Sequence, residues 1–428
     1  MRIALFHLGF FYSGGGEKLI LEEIRGLRAL GHEVTCFAPY VDREGCYPGV
    51  PEMDEICPML PPPPKWLPMK DPLWVALSCV AVLFLIPNLR NFDVFFGANQ
   101  PGPWFAFVAS RLLKKPYVIY LAQALRILHP RAIDLANGIR IREGDHRFLM
   151  AMKRVLGFAI DWADRLSVRH ADVVLTNGYH VSKWIEEVYG VANYPVPAGC
   201  HPIPETELEY GNRQGGGLTM NGVEVSKPFI LLTNRHSPMK RFEYAIWAMK
   251  ALSREMPELR LVITGQPTEY TDQLQYLVEG LGIGKSVYFV GLVAEDDLAT
   301  LYREALVYVY PSPEEDFGMG IVEAMGAGTP VVAWNSGGPT VTVEDRVTGF
   351  LVEPYDTEAF TERILTLVAN PELAERFGRA AHRRVRDMFS YESHNSLLDE
   401  ALRMALAADD GFVRDSIKPS ATPMWLEE

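Results

Sequence analysis

The chain has 428 residues, too many for one ordinary hydrophobic core, and its length fits two domains of about 200 residues each. Hydrophobic residues make up 48% of it and the formal net charge is −13. This acidity excludes nucleic acid as an expected partner, because binding to a phosphate backbone requires a concentrated basic surface. The five cysteines are scattered and lack CxxC spacing, which argues against a disulfide framework or a zinc site.

The first half of the chain alternates predicted strands and helices. The N-terminal segment begins at once with a predicted strand. It lacks the charged start and the long apolar core of a signal peptide, so we expect a cytoplasmic protein. The helices predicted from apolar spacing include Glu17–Leu30 and Phe105–Leu113. The predicted strands are Ile3–His7, Glu33–Ala38, Val94–Phe96, Tyr117–Tyr120 and Val173–Thr176.

The glycines Gly14, Gly15 and Gly16 follow the first predicted strand and open the first helix. Glycine permits a ligand to approach the backbone closely and permits positive φ, so this loop is a candidate binding element. A flexible turn is the alternative interpretation of the same residues.

One apolar run, Leu73–Ile86, precedes Pro87. It is too short to span a bilayer comfortably and fits either a buried helix or a segment at the membrane surface. The flanking Trp66 and Trp74 favour the second alternative, in which the protein contacts the cytoplasmic face of a membrane. Basic residues farther along point the same way: Lys153, Arg154, Arg165 and Arg169.

The second half repeats the alternation after a polar, glycine-rich stretch. The sequence therefore predicts an α/β protein with two doubly wound parallel sheets, whose ligands bind beyond the carboxyl ends of the strands. We place the domains at 1–200 and 227–388, with a linker at 201–226 and a C-terminal helix and tail at 389–428. The strands predicted here are Phe229–Thr233, Arg260–Thr264, Val287–Val290, Val307–Tyr310, Val331–Trp334 and Gly349–Val352.

The segment from Pro311 to Pro330 is the most informative in the chain. Glu315 lies on a loop after a buried strand, and Glu323 lies about one turn into a helix that opens near Gly318. The unpaired amides and the dipole of that helix would stabilise an anion at its start. Carboxylates accept hydrogen bonds from vicinal hydroxyls, so the pair suits a ligand with hydroxyls at both ends and phosphate between them. A nucleotide sugar has that layout.

Two cations follow another predicted strand. Arg235 and Lys240 lie on the loop after Phe229–Thr233, five positions apart. A guanidinium and an ammonium there would neutralise two phosphates and stabilise a nucleoside diphosphate as it leaves. Exposed basic residues without any such role are the alternative.

The order of these elements resembles the retaining glycosyltransferases of family four, whose E-x7-E motif matches Glu315 and Glu323. The Gly328-Thr329-Pro330 and Gly337-Gly338 segments match the motifs that follow. The resemblance implies the GT-B architecture, two Rossmann-like domains facing each other across a cleft, with the final helix crossing back onto the first domain. The sequence is also similar to mannosyltransferases that build lipid-linked oligosaccharides.

The resemblance assigns roles to particular residues. Glu315 would position the sugar, Glu323 the ribose, and Arg235 with Lys240 the diphosphate. The base would lie near Leu292, and no cofactor or metal is implied. The remaining donor-binding residues would be Phe317, Gly318, Met319 and Gly320, with Gly14, Gly15 and Gly16.

The first half departs from the family pattern. Ala122 occupies the position of a histidine that contacts the sugar in many relatives, whereas Arg126 retains the arginine of the same motif. His129 and Gln123 are the candidates to replace that histidine. Farther along, a glutamate usual after the two glycines is replaced by Val341, with Glu344 nearby.

The sequence thus predicts a hexosyltransferase, with mannose or glucose as the sugar. It would use a nucleotide-sugar donor and a glycan, lipid-linked or small-molecule acceptor. A sugar-nucleotide epimerase or phosphorylase of the same fold is one alternative. A catalytically inactive subunit that binds nucleotide sugar is the other.

Overall fold

The computed structural model describes residues 1–11, 14–64, 66–67, 70–137, 157–208, 213 and 216–409. It divides into two compact units. The first domain consists of Met1–Ala198 together with the chain from Tyr391, and the second domain is Gly199–Ser390. The tail after residue 409 and the basic residues Lys153 and Arg154 lie outside the described residues.

In the part of the first domain that the structure describes, seven strands form one sheet in the order β3-β2-β1-β4-β5-β6-β7. Every neighbouring pair is parallel. The strands are β1 (Arg2–His7), β2 (Glu33–Ala38), β3 (Ile56–Pro58), β4 (Val94–Ala98), β5 (Tyr117–Leu121), β6 (Val173–Thr176) and β7 (Tyr194–Pro195). The helices are α1 (Gly15–Ala29), α2 (Lys70–Leu89), α3 (Gly102–Leu113), α4 (Ala132–Asn137), α5 (residues 157–169) and α6 (Tyr179–Tyr189).

The described part of the second domain has a six-stranded parallel sheet in the order β12-β11-β10-β13-β14-β15 and a separate antiparallel hairpin of β8 and β9. The strands are β8 (Gly217–Met220), β9 (Val223–Ser226), β10 (Phe229–Thr233), β11 (Arg260–Thr264), β12 (Val287–Gly291), β13 (Val307–Tyr310), β14 (Val331–Trp334) and β15 (Gly349–Val352). The helices are α7 (Phe242–Glu255), α8 (Glu269–Gly280), α9 (Glu295–Glu304), α10 (Met319–Gly326), α11 (Pro339–Thr342), α12 (Thr357–Val368) and α13 (Pro371–Met388).

The predicted fold class is confirmed, because both main sheets are parallel and carry helices between successive strands. Strands such as β10 and β13 are buried along their whole length, as strands covered on both faces must be. In each sheet the strand order reverses once, between β1 and β4 and between β10 and β13. Ligands of doubly wound sheets bind at the carboxyl ends of the strands beside such a reversal.

The structure differs from the sequence prediction at α2 and in the predicted linker, among other places. Helix α2 does not stop at Pro87 but continues to Leu89; a proline in the last turn removes only one of the final hydrogen bonds. Residues 217–226, which we placed in the linker, form the β8–β9 hairpin around Asn221 and Gly222. Both turn residues have positive φ, the conformation of a tight hairpin turn.

The last helix, α14 (Tyr391–Asp409), belongs to the first domain and packs on α1 through buried polar groups. His394 Nδ1 lies 2.9 Å from the Pro197 carbonyl, and its Nε2 lies 3.2 Å from Glu23 Oε1. His32 Nε2 lies 2.8 Å from Asp399 Oδ1. These contacts fix the register of α14 more narrowly than apolar packing alone would, because a shift leaves buried polar groups unpaired.

Candidate active site

The candidate site lies where the strand order of the second domain reverses. Thr233 and Asn234 lie at the carboxyl end of β10, and Tyr310 ends the neighbouring strand β13. The loop after β10 and the loop after β13 meet there, because the Lys240 ammonium forms an ion pair with Glu315 Oε2. Two predicted site residues that are 75 positions apart in sequence therefore belong to one cluster.

Three side chains hold the Glu315 carboxylate from the protein side. Besides Lys240, the Tyr310 hydroxyl donates to Oε2 at 2.8 Å and the Ser312 hydroxyl donates to the same oxygen at 3.3 Å. Hydrogen bonds to an ionised acceptor are among the stronger ones in proteins. The loop that carries Glu315 therefore has a defined carboxylate position before any ligand arrives.

Glu323 lies on α10 and is held in the same way by a different tyrosine. The Tyr302 hydroxyl of α9 donates to Glu323 Oε2 at 2.9 Å. Tyr302 is buried, and this burial raises the pKa of its hydroxyl well above the ordinary value. The phenol thus stays protonated and remains a hydrogen-bond donor over the physiological pH range.

The start of α10 explains the glycines of the motif. Gly318 has φ +91°, a left-handed conformation that favours glycine. A Cβ at Gly320 would lie 2.3 Å from the Tyr308 hydroxyl oxygen, so a side chain does not fit there. The Phe317 side chain packs in the interior against Phe389, with ring centroids 5.9 Å apart. Its side chain is therefore part of the core, and its predicted donor contact would have to come from the backbone; Met319 is half-buried.

The two glycines after β14 pack against the loop of Glu315. A Cβ at Gly337 would lie 2.4 Å from the Glu315 carbonyl oxygen, and one at Gly338 would lie 2.4 Å from Phe317 Cα. The Gly338 amide donates to the Glu315 carbonyl at 2.6 Å. The Gly-Gly motif is thus a backbone support for the first carboxylate.

A buried histidine anchors the loop that carries the two predicted cations. His236 Nδ1 lies 2.8 Å from Thr271 Oγ1, and the Thr268 hydroxyl donates to the His236 carbonyl at 2.6 Å. Burial lowers the pKa of His236 to about 4, so the ring is neutral at physiological pH. Arg235 beside it is exposed and Lys240 is half-buried, which places both side chains at the surface of the loop.

The loop after β12, where the base was predicted to lie, is braced by the hairpin. The Asn221 side-chain amide donates to the carbonyls of Val290 and Leu292, both at 2.8 Å. Leu292 itself is exposed. The hairpin therefore sets the path of the backbone around Leu292.

In the first domain, a carboxylate shapes the glycine-rich loop. Glu17, in the first turn of α1, is buried and accepts hydrogen bonds from the amides of Phe11 at 2.9 Å and Tyr47 at 2.7 Å. Gly14 adopts extended backbone geometry, which other residues also adopt. The predicted loop residues Gly14, Gly15 and Gly16 thus lie at the amino end of a helix whose first turn is tied to two other loops.

The loop after β5 holds the first-domain residues of the predicted site. Arg126 Nη1 lies 3.9 Å from Asp134 Oδ1, and His129 Nε2 lies 3.1 Å from Asp161 Oδ1. The Ala122 amide donates to Asn99 Oδ1 at 2.9 Å, while Gln123 is half-buried. His129 is engaged with a carboxylate of its own domain, and burial, as the largest cause, lowers its pKa.

Several residues of this network were missed by sequence reasoning. The sequence alone gives no role to five of them: Tyr302, Tyr310, Thr233, Asn234 and His236. The alternation Val-Tyr-Val-Tyr in β13 was the one available signal, since it gives one face of a buried strand two hydroxyls. Among the described residues, no group of three or more His, Cys, Asp or Glu side chains is arranged to hold a metal ion.

Two family models match the chain. Residues 220–384 match the model described as glycosyl transferases group 1, and residues 14–197 match the glycosyl transferase 4-like domain. The D-inositol 3-phosphate glycosyltransferase of Streptomyces coelicolor is 32% identical over 260 residues, which are 58% of this chain and 55% of that protein. The alpha-1,3/1,6-mannosyltransferase ALG2 of Homo sapiens is 24% identical over 90% of this chain and 92% of its own length.

Solved structures show the same fold. Sucrose-phosphate synthase from Thermosynechococcus elongatus superimposes with a TM-score of 0.71 at 20% identity, covering 95% of this chain and all of that one. HepE of Anabaena, in complex with UDP, gives a TM-score of 0.70 at 17% identity and covers 94% of this chain and 100% of its own. The resemblance read from the motifs is confirmed: the chain has the GT-B fold and belongs to the glycosyltransferase family that the group 1 and 4-like models describe.

Proposed function

We propose that this protein is a retaining glycosyltransferase that moves a hexose from a nucleoside diphosphate sugar to an acceptor hydroxyl. One observation carries the proposal. Lys240 and Glu315 form an ion pair between the loops that follow β10 and β13, where the second sheet reverses its order, and Glu323 lies on α10, the helix after β13. Arg235 lies on the same loop as Lys240. Parallel α/β sheets bind their ligands at this place.

Each group has a chemical task in this proposal. The bond between the anomeric carbon and the diphosphate oxygen breaks, and the bond to the acceptor oxygen forms on the same face of the sugar. The acceptor proton passes to an oxygen of the leaving diphosphate. Arg235, Lys240 and the amides at the start of α10 stabilise the charge that develops on that diphosphate. Glu315 accepts hydrogen bonds from the sugar and Glu323 from the ribose.

The relatives support mannose or glucose as the transferred sugar. ALG2 is named as a mannosyltransferase, and HepE was crystallised with UDP-glucose. ALG2 aligns with most of this chain, whereas the match to the inositol phosphate enzyme spans about half of each protein. We therefore place a mannosyl donor ahead of a glucosyl donor.

Product analysis and calorimetry test this reaction. With a panel of UDP-, GDP- and ADP-sugars we expect transfer from one of them, and proton NMR of the first product formed should show the donor's anomeric configuration. Glu323→Gln should weaken binding of the bare nucleoside diphosphate roughly tenfold or more, because a hydrogen bond to a charged group is lost. Glu315→Gln should reduce transfer but leave that affinity largely unchanged. Isomerised donor, phosphate-dependent cleavage or an inverted product would contradict the proposal.

The acceptor in this proposal is carried on a membrane. Among the described residues, no helix combines the length and the apolar character needed to cross a bilayer, so contact would be made at the surface. Helix α2 exposes Leu73, Leu77, Val80 and Phe84, spaced by four, three and four residues, which is one face of a helix. Phe84 is 80% exposed. We call this face, with Leu83 beside it, the α2 face.

Helix α5 extends the apolar surface on the same side of the sheet. Val82 of α2, Phe105 of α3 and Val168 of α5 belong to one core cluster, so the three helices cover the same sheet face. Phe158 and Trp162 of α5 are 88% and 59% exposed. Exposed basic residues lie at the carboxyl ends of α2 and α3: Arg90, Arg111 and Lys114. Apolar side chains with basic neighbours suit a membrane that contains anionic lipid.

Vesicle sedimentation tests the membrane contact. At physiological salt we expect the protein to bind vesicles of phosphatidylcholine with phosphatidylglycerol, and Phe84→Asp to weaken that binding at least tenfold. Tyr276→Asp is the matched control, since Tyr276 lies on α8 of the second domain and is 79% exposed. A wild-type protein that stays in the supernatant and glycosylates a water-soluble acceptor efficiently would refute the membrane contact.

A further inference from the structure

A layer of buried hydroxyl groups lies beneath the first turn of α10. Tyr302, Tyr308 and Tyr310 are buried, and their hydroxyls gather around Thr233 and Asn234 at the end of β10. Val307 and Val309 of β13, the strand that carries Tyr308 and Tyr310, belong to the apolar core on the other face of the sheet. The alternation of β13 therefore gives this sheet one apolar face and one face that carries hydroxyls.

The hydrogen bonds of this layer have a direction. A hydroxyl can donate only one hydrogen bond, and the Tyr302 hydroxyl donates its hydrogen bond to Glu323. Thr233 Oγ1, 2.9 Å from the Tyr302 oxygen, must then donate to it. The Tyr308 hydroxyl lies 2.8 Å from Thr233 Oγ1 and also donates to the Thr233 carbonyl at 3.3 Å, so both of its contacts are with Thr233. The donors run from Thr233 to Tyr302 and end on the Glu323 carboxylate.

A second, shorter chain ends on the other carboxylate. The Asn234 side-chain amide donates to the Tyr310 hydroxyl at 3.2 Å, and that hydroxyl donates to Glu315 Oε2 at 2.8 Å. Burial raises the pKa of Tyr310 well above its usual value, so this donor also stays protonated. Thr233 and Asn234 are adjacent, so one strand end supports both carboxylates through two separate chains.

The helix above the layer is fitted to it. At Gly320 a Cβ would lie 2.3 Å from the Tyr308 hydroxyl oxygen, 3.0 Å from Thr233 Oγ1 and 3.2 Å from the Tyr302 hydroxyl oxygen. Backbone and hydroxyls are therefore in contact, and the first turn of α10 rests on the layer. A carboxylate that already accepts a hydrogen bond from a buried tyrosine has few rotamers before a ligand binds. It therefore loses less conformational entropy on binding.

We propose that Tyr302 and Tyr310 are positioning residues that divide the support of the donor site, Tyr302 orienting Glu323 for the nucleotide and Tyr310 orienting Glu315 for sugar transfer. The inference rests on the proposed function, because it assigns each tyrosine to one half of a nucleotide sugar. Each tyrosine acts through its glutamate and need not contact the ligand itself.

Tyrosine-to-phenylalanine variants test the division, since each removes one oxygen atom and keeps the ring. Tyr302→Phe should weaken binding of the bare nucleoside diphosphate about tenfold and raise the KM for the donor, with kcat nearly unchanged. Tyr310→Phe should lower kcat about tenfold and leave the affinity for the bare nucleoside diphosphate within twofold. A general loosening of the fold would shift both quantities together in both variants.

Tyr270→Phe is the matched control. Its hydroxyl also donates to a carboxylate in the second domain, that of Glu243, but no contact joins it to the layer of Tyr302, Tyr308 and Tyr310 among the described hydrogen bonds. We expect its kcat and KM to match the wild type. If Tyr302→Phe and Tyr310→Phe behave like Tyr270→Phe, or like each other, the division of roles is wrong. If the wild type neither binds a nucleoside diphosphate nor transfers a sugar, the proposed function itself fails.

Discussion

The two sheets of this protein reverse their strand order in the same way, yet their strand ends carry different chemistry. At the β10–β13 reversal, Thr233, Asn234 and Tyr310 form hydrogen bonds that end on carboxylates. At the β1–β4 reversal, β1 ends in His7, which is buried beside Phe10 with ring centroids 5.1 Å apart. The topology fixes where a ligand can bind, and the side chains at the strand ends decide what that ligand can be.

The loops after the strands also differ between the two domains, in the residues that the predicted site residues contact. In the second domain, the predicted residues Lys240 and Glu315 contact each other directly. In the first domain, Arg126 and His129 contact carboxylates outside the predicted set, Asp134 and Asp161. The structure thus brings Lys240 and Glu315, two of the residues that the motifs name, into one cluster. The first-domain sequence departs from the family pattern at Ala122, and Arg126 and His129 each contact an aspartate of their own domain.

Removing the predicted diphosphate cations should have the largest effect. Arg235→Ala and Lys240→Ala should each lower kcat/KM by about 10²- to 10³-fold, the usual loss for a preorganised group that stabilises developing charge. Arg379→Ala, which removes an exposed arginine paired with Glu375, should leave kcat/KM unchanged. Steady-state kinetics with the active donor measures all three.

Arg126→Ala sharpens the comparison between the domains. We expect it to reduce transfer less than Lys240→Ala and to leave the affinity for the bare nucleoside diphosphate unchanged. A loss of that affinity equal to the loss in Lys240→Ala would show that the donor site is not confined to the second-domain residues.

Glycine substitutions should have intermediate effects. A Cβ at Gly338 would lie 2.4 Å from Phe317 Cα, and one at Gly102 would lie 2.4 Å from the Phe6 carbonyl oxygen. Both Gly338→Ala and Gly102→Ala should lower the free energy of unfolding by about 1–3 kcal/mol, the range for overpacking. Only Gly338→Ala should also weaken nucleotide binding, because it displaces the loop of Glu315.

Gly280→Ala is the control for this pair. No atom lies within 4 Å of a Cβ built there, and the glycine ends helix α8, so we expect unchanged or slightly higher stability. Chemical denaturation and calorimetry with the nucleoside diphosphate separate the two effects. Equal nucleotide affinity in Gly338→Ala and wild type would contradict the role of the Gly-Gly motif as a support for Glu315.

The last prediction concerns the dependence of stability on pH. Burial lowers the pKa of His7 and of His236 to about 4, from an ordinary value of about 6.5 for histidine. The unfolded chain therefore binds more protons than the folded one between about pH 6.5 and 4, and stability falls as the pH falls through this window. Each histidine contributes up to about 3 kcal/mol of this loss, at about 1.4 kcal/mol per pH unit.

One variant in each domain measures this dependence. His7→Phe keeps an aromatic ring beside Phe10, and His236→Asn keeps a polar atom near Thr271. Each should flatten the fall of the thermal unfolding midpoint between pH 7 and 5. A fall as steep as that of the wild type would mean that the substituted histidine is not protonated on unfolding.

The elements of the fold were predicted best where burial leaves few alternatives. Ten of the eleven predicted strands agree with the observed ones to within one residue at each end, among them β10, β13 and β14, because buried parallel strands are continuous apolar runs bounded by turn residues. Short strands such as β3 and β7 were missed, since two or three residues carry no periodicity. The β8–β9 hairpin was missed because its polar, glycine-rich sequence also fits a loop.

The sequence by itself determined the family, the two sets of alternating strands and helices, and the candidate site residues: Glu315 and Glu323 at E-x7-E spacing and the loop of Arg235 and Lys240. These signals are local, because each depends on neighbours within one turn of a helix or one loop. Only the tertiary structure placed Tyr302 under Glu323, Tyr310 under Glu315 and Gly338 against Phe317. Such contacts join residues that are distant in sequence. The sequence around a buried tyrosine in a strand is the same whether or not its hydroxyl contacts a carboxylate, so the sequence does not reveal the contact.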